Sequence, residues 1–385
     1  MGRIVSILHY SALPVIGGVE FIIDRHSKLM REDGFDVSII AGDGEPDILI
    51  PELKASNYKK IQEEILRGRE PENFEDEVEK LKKKLIQAIS SSNLLIVHNL
   101  FTMHFNLVAT AALCDLAREI KTIGWVHDIS YIDPTYNLPS PAKTPLKLIT
   151  SPAPGVQYVT ITKYRKEKLS DFFEIEKNKI QVIPNGIDPY KLLPEEMEKT
   201  AKRLNILSYY PVVLFPSRLT KRKNFELAIE ISSELQGKPL LLLSAPPDPH
   251  NPEFSSYKDE LRALAEKKEL PLIFLSDHCP IKKIYPFYFL GDILLISSRM
   301  EGFGLPVLEA SLMRIPAAFS NIPPLKEIGK HFQSHIFFDL DENPKNIANR
   351  IMNLLNESSI VQNRKIVIRD FGWDTIYQKK IKNLL

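Results

Sequence analysis

The chain has 385 residues, 44% of them hydrophobic and 26% charged, with a formal net charge of +1. This length suits two domains of ordinary size. The balanced charge excludes the global field that would draw nucleic acid or an anionic membrane, so any anion site has to be local. No stretch reaches the roughly 18–20 apolar residues of a membrane span, and the N-terminus lacks a signal peptide's long apolar run and cleavage site. The two cysteines, Cys114 and Cys279, stand apart in apolar settings and read as core thiols of a reducing compartment. The expected location is cytoplasmic, with peripheral membrane contact left open.

Arg3 to His9 reads as a buried strand that ends in the turn-rich stretch Ser11 to Gly18. A helix over Val19 to Asp33 puts Phe21, Ile22, Leu29 and Met30 on one side, Gly34 stops it, and Asp36 to Ala41 is the next strand. Strand, helix and strand in close succession open a parallel, doubly wound sheet. Residues 71 to 91 are helical, with Val78, Leu81, Leu85 and Ile89 three and four apart and a solvated Glu/Lys face. Asn93 to His98 is a strand, Thr102 to Ile120 a helix, Thr122 to His127 a strand, and Asp133 to Pro154 a long loop rich in Pro, Ser and Thr. Gln157 to Thr162 and Ile180 to Ile183 are further strands.

Pro184-Asn185-Gly186-Ile187-Asp188-Pro189 punctuates the chain, and the pattern then restarts. Strands are expected at Val212 to Pro216, Pro239 to Ser244, Leu272 to Leu275, Ile293 to Ser297 and Pro316 to Phe319, with helices at Asn224 to Leu235 and Tyr257 to Lys267. Two similar halves imply an α/β fold of two Rossmann-like, doubly wound domains facing a central cleft, with ligands at the carboxyl ends of the strands. The expected boundaries are residues 1–190 with 370–385, and residues 191–369.

The segment from Ser298 to Ala310 includes Glu301-Gly302-Phe303-Gly304-Leu305-Pro306-Val307-Leu308-Glu309. It follows a strand, carries two glycines, and places proline where a helix begins. Glycines let a ligand approach the backbone, and amides at a helix N-terminus bind phosphate. Two carboxylates flanking such a site suit the hydroxyls of hexose and ribose on either side of a diphosphate. On spacing alone, a glycine turn before a surface helix with two solvated glutamates fits equally well.

With its two glutamates seven residues apart inside a Gly-Phe-Gly-Leu-Pro setting, this segment resembles family 4 of the retaining glycosyltransferases, which have the GT-B fold. Four more segments match that family in order, so the resemblance spans nearly the whole chain. It implies that Glu309 binds ribose, that Glu301 binds the hexose hydroxyls, and that the backbone amides of Phe303, Gly304 and Leu305 support the phosphates or hexose. In Pro216-Ser217-Arg218-Leu219-Thr220-Lys221-Arg222-Lys223-Asn224-Phe225 it assigns Arg218 and Lys223 to the diphosphate. Arginine presents a planar fork there and lysine a point charge; Lys221 and Arg222 read as surface charge. The resemblance turns Gly17 and Gly18 toward the donor phosphates. In Gly124-Trp125-Val126-His127-Asp128 it sets His127 beside the hexose, with Asp128 orienting the imidazole or facing the acceptor. Asn99 and His104, with His98, either touch the acceptor or serve caps and loop bonds. Asn185 and Gly186 read as a left-handed turn at the domain junction, Asn185 being a weak site candidate. Phe371 to Leu385 resembles the terminal helix that crosses back to the N-terminal domain, anchored by Trp373.

Asp339-Leu340-Asp341 has a metal-like spacing, but Asn343-Pro344 and a helix follow, so capping is the reading preferred, and no metal or other cofactor is expected. The expected activity is carbohydrate biosynthesis: hexose transfer with retention from GDP-mannose or UDP-glucose to a sugar-like acceptor hydroxyl. The loop Ser244 to Pro252 and the segment Asn99 to Asn106 look similar to enzymes that make glucosyl- and mannosyl-glycerate solutes. A sugar-nucleotide epimerase and a non-catalytic sugar-nucleotide binder are the rivals; the charged set at 218, 223, 301 and 309 argues against the first, and the presence of both Glu301 and His127, which a mere binder could lose, against the second. Oligomeric state is not encoded.

Overall fold

The computed structural model describes residues 4–141, 145–245, 254–281 and 283–385. Two units emerge: Met1–Gly186 with Trp373–Leu385 (unit 1), and Ile187–Gly372 (unit 2).

Unit 1 begins with β1 (Ile4–His9), α1 (Gly18–Glu32), β2 (Asp36–Ala41), β3 (Ile48–Leu49), α2 (Lys59–Leu66) and α3 (Phe74–Ala88). It continues with β4 (Leu94–His98), α4 (Leu107–Leu116), β5 (Thr122–Val126), β6 (Val156–Thr160), α5 (Lys163–Phe173) and β7 (Ile180–Val182). The seven strands are parallel in the order β3-β2-β1-β4-β5-β6-β7. Every residue of β4 and β5 is buried, as expected for parallel strands covered on both faces. Alternate residues feed opposite cores. Leu8, Leu95 and Val97 face one, with α3 and α4, while Ile7, Leu94, Ile96 and Trp125 face the other, with α1.

Unit 2 contains α6 (Glu195–Arg203), β8 (Val212–Phe215), α7 (Phe225–Ser233), β9 (Leu240–Leu243), α8 (Phe254–Lys267), β10 (Leu272–Phe274) and α9 (Tyr285–Phe289). It goes on through β11 (Ile293–Ile296), α10 (Leu305–Leu312), β12 (Ala317–Ser320), α11 (Pro323–Gly329), β13 (His335–Phe338), α12 (Pro344–Glu357) and α13 (Ser359–Phe371). Its six parallel strands run β10-β9-β8-β11-β12-β13. In both sheets the strand order reverses beside the first strand, between β1 and β4 and between β8 and β11. Ligands bind such sheets at that point.

The chain then returns to unit 1 through α14 (Trp373–Ile376) and a π-helical turn, Tyr377–Ile381. Trp373, Ile376, Tyr377, Ile381 and Leu384 join the core beneath α1. Tyr377 Oη donates to Asp33 Oδ2 at 3.1 Å, and Lys382 Nζ to Asp33 Oδ1 at 2.7 Å.

Several expectations are corrected. The helix expected over Thr102 to Ile120 is shorter, because Asn106 takes the cap: its Oδ1 accepts from Ala109 N at 3.0 Å, while its Nδ2 donates to Glu52 O at 2.8 Å. Neither Asn185 nor Gly186 adopts a left-handed backbone. Gly186 is required for a different reason: a Cβ there would meet the Trp373 ring at 2.7 Å. The cap of α12 is Asn343, whose Oδ1 accepts from Lys345 N at 2.9 Å; Asp339 instead accepts from Asn321 at 3.0 Å. The stretch Asp133 to Pro154 carries a 3-10 turn, Pro145–Ile149. Of the loop from Ser244 to Pro252, residues 246–252 lie outside the described residues.

Candidate active site

In unit 2 the loops after β8 and β11 meet at the switch point, and hydrogen bonds tie them together. Asn224 is buried in a left-handed conformation that ends the first loop. Its carbonyl accepts from Ser297 Oγ at 2.7 Å, and its side-chain oxygen accepts from Arg299 at 3.1 Å. Arg299 N donates to Arg222 O at 2.8 Å, and Ser320 Oγ to Ser298 O at 2.6 Å.

This scaffold brings Lys223 and Glu301 together. Lys223 Nζ lies 2.6 Å from Glu301 Oε1, with the two side chains only 13% and 10% exposed. Ser298 Oγ donates to the same oxygen at 2.6 Å. Desolvated to this degree, the pair holds its geometry far better than a surface pair would. Arg218 sits exposed on the loop that carries Lys223.

Glycines then admit α10. Gly304 caps it with φ 111°, a left-handed value that disfavours a side chain, and a Cβ there would meet Leu325 at 2.8 Å. Pro306 lies in the first turn, and Phe303 and Leu305 are exposed beside it. Pro306 has no N–H and Val307 N donates to Gly304 O at 2.9 Å, so the Leu305 amide is the first-turn donor left without an intrahelical acceptor and available to an anion. Glu309, one turn on, accepts from Tyr288 Oη at 2.5 Å. Burial, reinforced by Glu309, pushes the Tyr288 hydroxyl well above its usual pKa, so it stays a donor. Tyr288 escapes a reading of the sequence because it precedes Glu309 by a whole strand and loop and meets it only through the fold.

In unit 1 the loop after β1 delivers Gly17 and Gly18 to the start of α1. Gly17 is extended, and a Cβ there would collide with the Glu20 carboxylate at 2.1 Å; Gly18 has open space around it. Glu20 is itself buried, accepts from Ser11 Oγ at 2.5 Å and lies 3.9 Å from His9 Nε2.

The ends of β4 and β5 bring His98 and His127 together, with His98 Nδ1 3.0 Å from His127 Nε2. His127 is 4% exposed, and burial pushes its pKa down to about 3, so the ring is neutral near pH 7. Asn99 braces the backbone here, its Oδ1 accepting from His127 N at 2.8 Å and Asp128 N at 3.2 Å. His104 is held by Ser130 Oγ, 2.8 Å from its Nδ1. Asp128 does not orient the His127 imidazole, because its carboxylate pairs with Arg165 at 3.0 Å and His98 occupies the ring nitrogen instead. Loop bonds thus engage Asn99 and His104.

Residues 16–191 match the family described as Glycosyltransferase Family 4, and residues 196–368 match that described as Glycosyl transferases group 1. The chain is a family 4 glycosyltransferase. Its two doubly wound units give it the GT-B architecture. Mannosylglucosylglycerate synthase of Petrotoga mobilis is 25% identical to this transferase over 375 residues, which cover 84% of the transferase and 83% of the relative. An uncharacterized glycosyltransferase of Methanocaldococcus jannaschii is 26% identical over 237 residues, a match that spans 58% of each protein. D-inositol 3-phosphate glycosyltransferase of Acidothermus cellulolyticus is 23% identical over 250 residues, 62% of the transferase and 55% of the relative. Among solved structures, Anabaena HepE in complex with UDP and glucose aligns over 99% of each chain at 17% identity, with a TM-score of 0.38. No helix among the transferase's described residues is long and apolar enough to cross a membrane.

Proposed function

We propose that this glycosyltransferase moves a hexose from a nucleoside-diphosphate sugar to a small, sugar-like acceptor with retention of anomeric configuration and without a metal ion. The observation that carries the reading is the Lys223–Glu301 pair at the switch point, beside the N-terminus of α10. Unit 2 holds the donor. Glu309, steadied by Tyr288, takes the ribose hydroxyls. Arg218, Lys223 and the amides of Phe303, Gly304 and Leu305 offset the diphosphate charge, which removes the need for a divalent cation. With Glu301 Oε1 engaged by Lys223 and Ser298, Oε2 is the oxygen for the hexose hydroxyls.

Unit 1 presents the acceptor, with His127 beside the hexose and Gly17 and Gly18 toward the phosphates. The bond from the anomeric carbon to the β-phosphate oxygen breaks as the acceptor oxygen bonds to that carbon on the same face. The acceptor proton passes to the departing phosphate. Stabilising the charge on that phosphate in a desolvated site is where the protein can lower the barrier most.

GDP-mannose and UDP-glucose are the donors favoured. Similarity to mannosylglucosylglycerate synthase supports a small soluble acceptor. The experiment is a thermal-shift screen of GDP, UDP, ADP and their sugars, with and without EDTA. One nucleotide is expected to raise the melting temperature by mass action in either condition. Binding seen only with magnesium or manganese would overturn the metal-free reading, and no binding to any of them would overturn the donor assignment.

A further inference from the structure

His98 ends β4 with its ring fully buried, stacked on Trp125 at a centroid distance of 5.6 Å and an interplanar angle of 18°. Its Nδ1 faces His127 Nε2 at 3.0 Å, while its Nε2 is buried with no hydrogen-bond partner among the described residues. Burial keeps both rings neutral, and at His98 the neighbouring imidazoles add to that effect. A neutral imidazole carries a single N–H. One hydrogen therefore sits between the two facing nitrogens, and its owner decides where the other protons go.

If His127 Nε2 donates, the proton of His98 must be on Nε2, where it is a buried N–H without an acceptor. If His98 Nδ1 donates, His98 Nε2 is only a bare lone pair. Orphaned buried N–H groups are the rarer and costlier omission. The second arrangement is favoured, and it forces His127 to keep its own proton on Nδ1.

We propose that His98 is a positioning residue that locks His127 in its Nδ1–H tautomer, so that His127 meets the sugar as a hydrogen-bond donor. The partner of one ring nitrogen sets the protonation of the other. Here the partner opposes the preference of a free imidazole for Nε2–H. The Asn99 brace on the His127 backbone and the Trp125 stack on the His98 ring fix both halves of the contact. A donor at Nδ1 stabilises a hexose oxygen and cannot take the acceptor's proton, which leaves that task to the departing phosphate. The catalytic consequence rests on the proposed place of His127 beside the hexose; the tautomer itself does not.

The test is a long-range ¹H–¹⁵N spectrum of the full chain labelled in histidine, near neutral pH, with His127 assigned from His127→Gln. The expected result is a pyrrole-like Nδ1 and a pyridine-like Nε2 at His127. In His98→Leu the proton should move toward Nε2. Nucleoside diphosphate release from UDP-glucose or GDP-mannose should then fall about 10- to 100-fold in kcat with little change in KM, as when the orienting partner of a working imidazole is lost. His98→Asn, which can keep an N–H where Nδ1 stands, should recover much of that rate. A wild-type spectrum with the proton on Nε2 overturns the proposal without any variant. The expected spectrum together with full turnover in both His98→Leu and His127→Gln overturns the role of His127 at the sugar instead, so the two failures are told apart.

Discussion

Lys223 is held in place by Glu301, so its ammonium needs little reorganisation to meet a phosphate. Lys223→Ala and Arg218→Ala are each expected to cost about 2–4 kcal/mol of transition-state stabilisation, measured as kcat/KM; near-wild-type transfer in both would remove the clamp. The two glutamates should separate. Glu309→Gln should mainly weaken nucleotide binding, since ribose contacts persist from ground to transition state. Tyr288→Phe should do the same by about 1.5–3 kcal/mol, the worth of a hydrogen bond to a charged group. Glu301→Gln should lower turnover more than affinity, because the hexose has to be held within reach of its acceptor. Calorimetry with GDP or UDP beside transfer rates decides this, and equal losses of affinity at 301 and 309 would mean the nucleotide lies elsewhere along the loop. The buried histidines govern a different property. Burial pushes His26 and His127 down to about 3, below the ordinary 6.5 that the unfolded chain recovers. Below pH 6.5 the unfolded state therefore binds more protons, so the stability they contribute is complete above that pH and is lost as pH falls toward 3. The slope is about 1.4 kcal/mol per pH unit for each ring. The chain's two tryptophans, Trp125 and Trp373, both belong to unit 1. Their fluorescence follows its urea unfolding, and His26→Phe should flatten the loss between pH 7 and pH 5; an unchanged slope would clear His26 of the effect. The charged residues stand out through the family motifs that carry them, since on spacing alone the two glutamates fit a solvated surface equally well. Tyr288 and Asn224 do not stand out as site residues, and His98 does so without its contact to His127, since what matters about each is a partner brought in by the fold.

At the scale of elements, the turn into α10 shows why two glycines in one motif are not equivalent. Gly304 is left-handed and crowded by Leu325, whereas a Cβ on Gly302 meets nothing within 4 Å. Gly304→Ala should cost roughly 1–3 kcal/mol and misplace the first-turn amides. Gly302→Ala should leave stability within about 0.5 kcal/mol. Chemical unfolding of both variants is the measurement, and equal destabilisation would show that φ at 304 is not the constraint. The strands covered on both faces are readable from the sequence as apolar runs such as Leu240–Leu243 and Ile293–Ile296, because they have no polar side to mask them, whereas the partly buried edge strand β13 is not among the expected strands. The short elements are not. The two-residue β3 lacks a period, and the five-residue α9 is too brief to display one. The opening of α4 is hidden as well, because it is set by the N-cap Asn106, which a hydrophobic pattern does not register.

At the scale of the whole chain, unit 1 is built from two separated stretches. Each fully buried side chain of the returning segment stabilises it by about 1.5–3 kcal/mol. Trp373, Ile376, Tyr377, Ile381 and Leu384 are all buried in its core. Together they rival the entire stability of an ordinary domain, roughly 5–15 kcal/mol. A chain ending at Gly372 should therefore fail to fold unit 1, seen as red-shifted Trp125 emission. Native emission from the shortened chain would mean that the segment only decorates a finished core.

The same arrangement carries a consequence for biosynthesis. A ribosome releases residues 1–186 first and residues 373–385 only after all of unit 2 has been made. Throughout that interval the nascent N-terminal portion exposes the greasy patch that Trp373 and its neighbours will later cover, while unit 2 is contiguous and is free to finish as it emerges. The half of the enzyme translated first is thus completed only after unit 2, with that patch uncovered until residues 373–385 have been made.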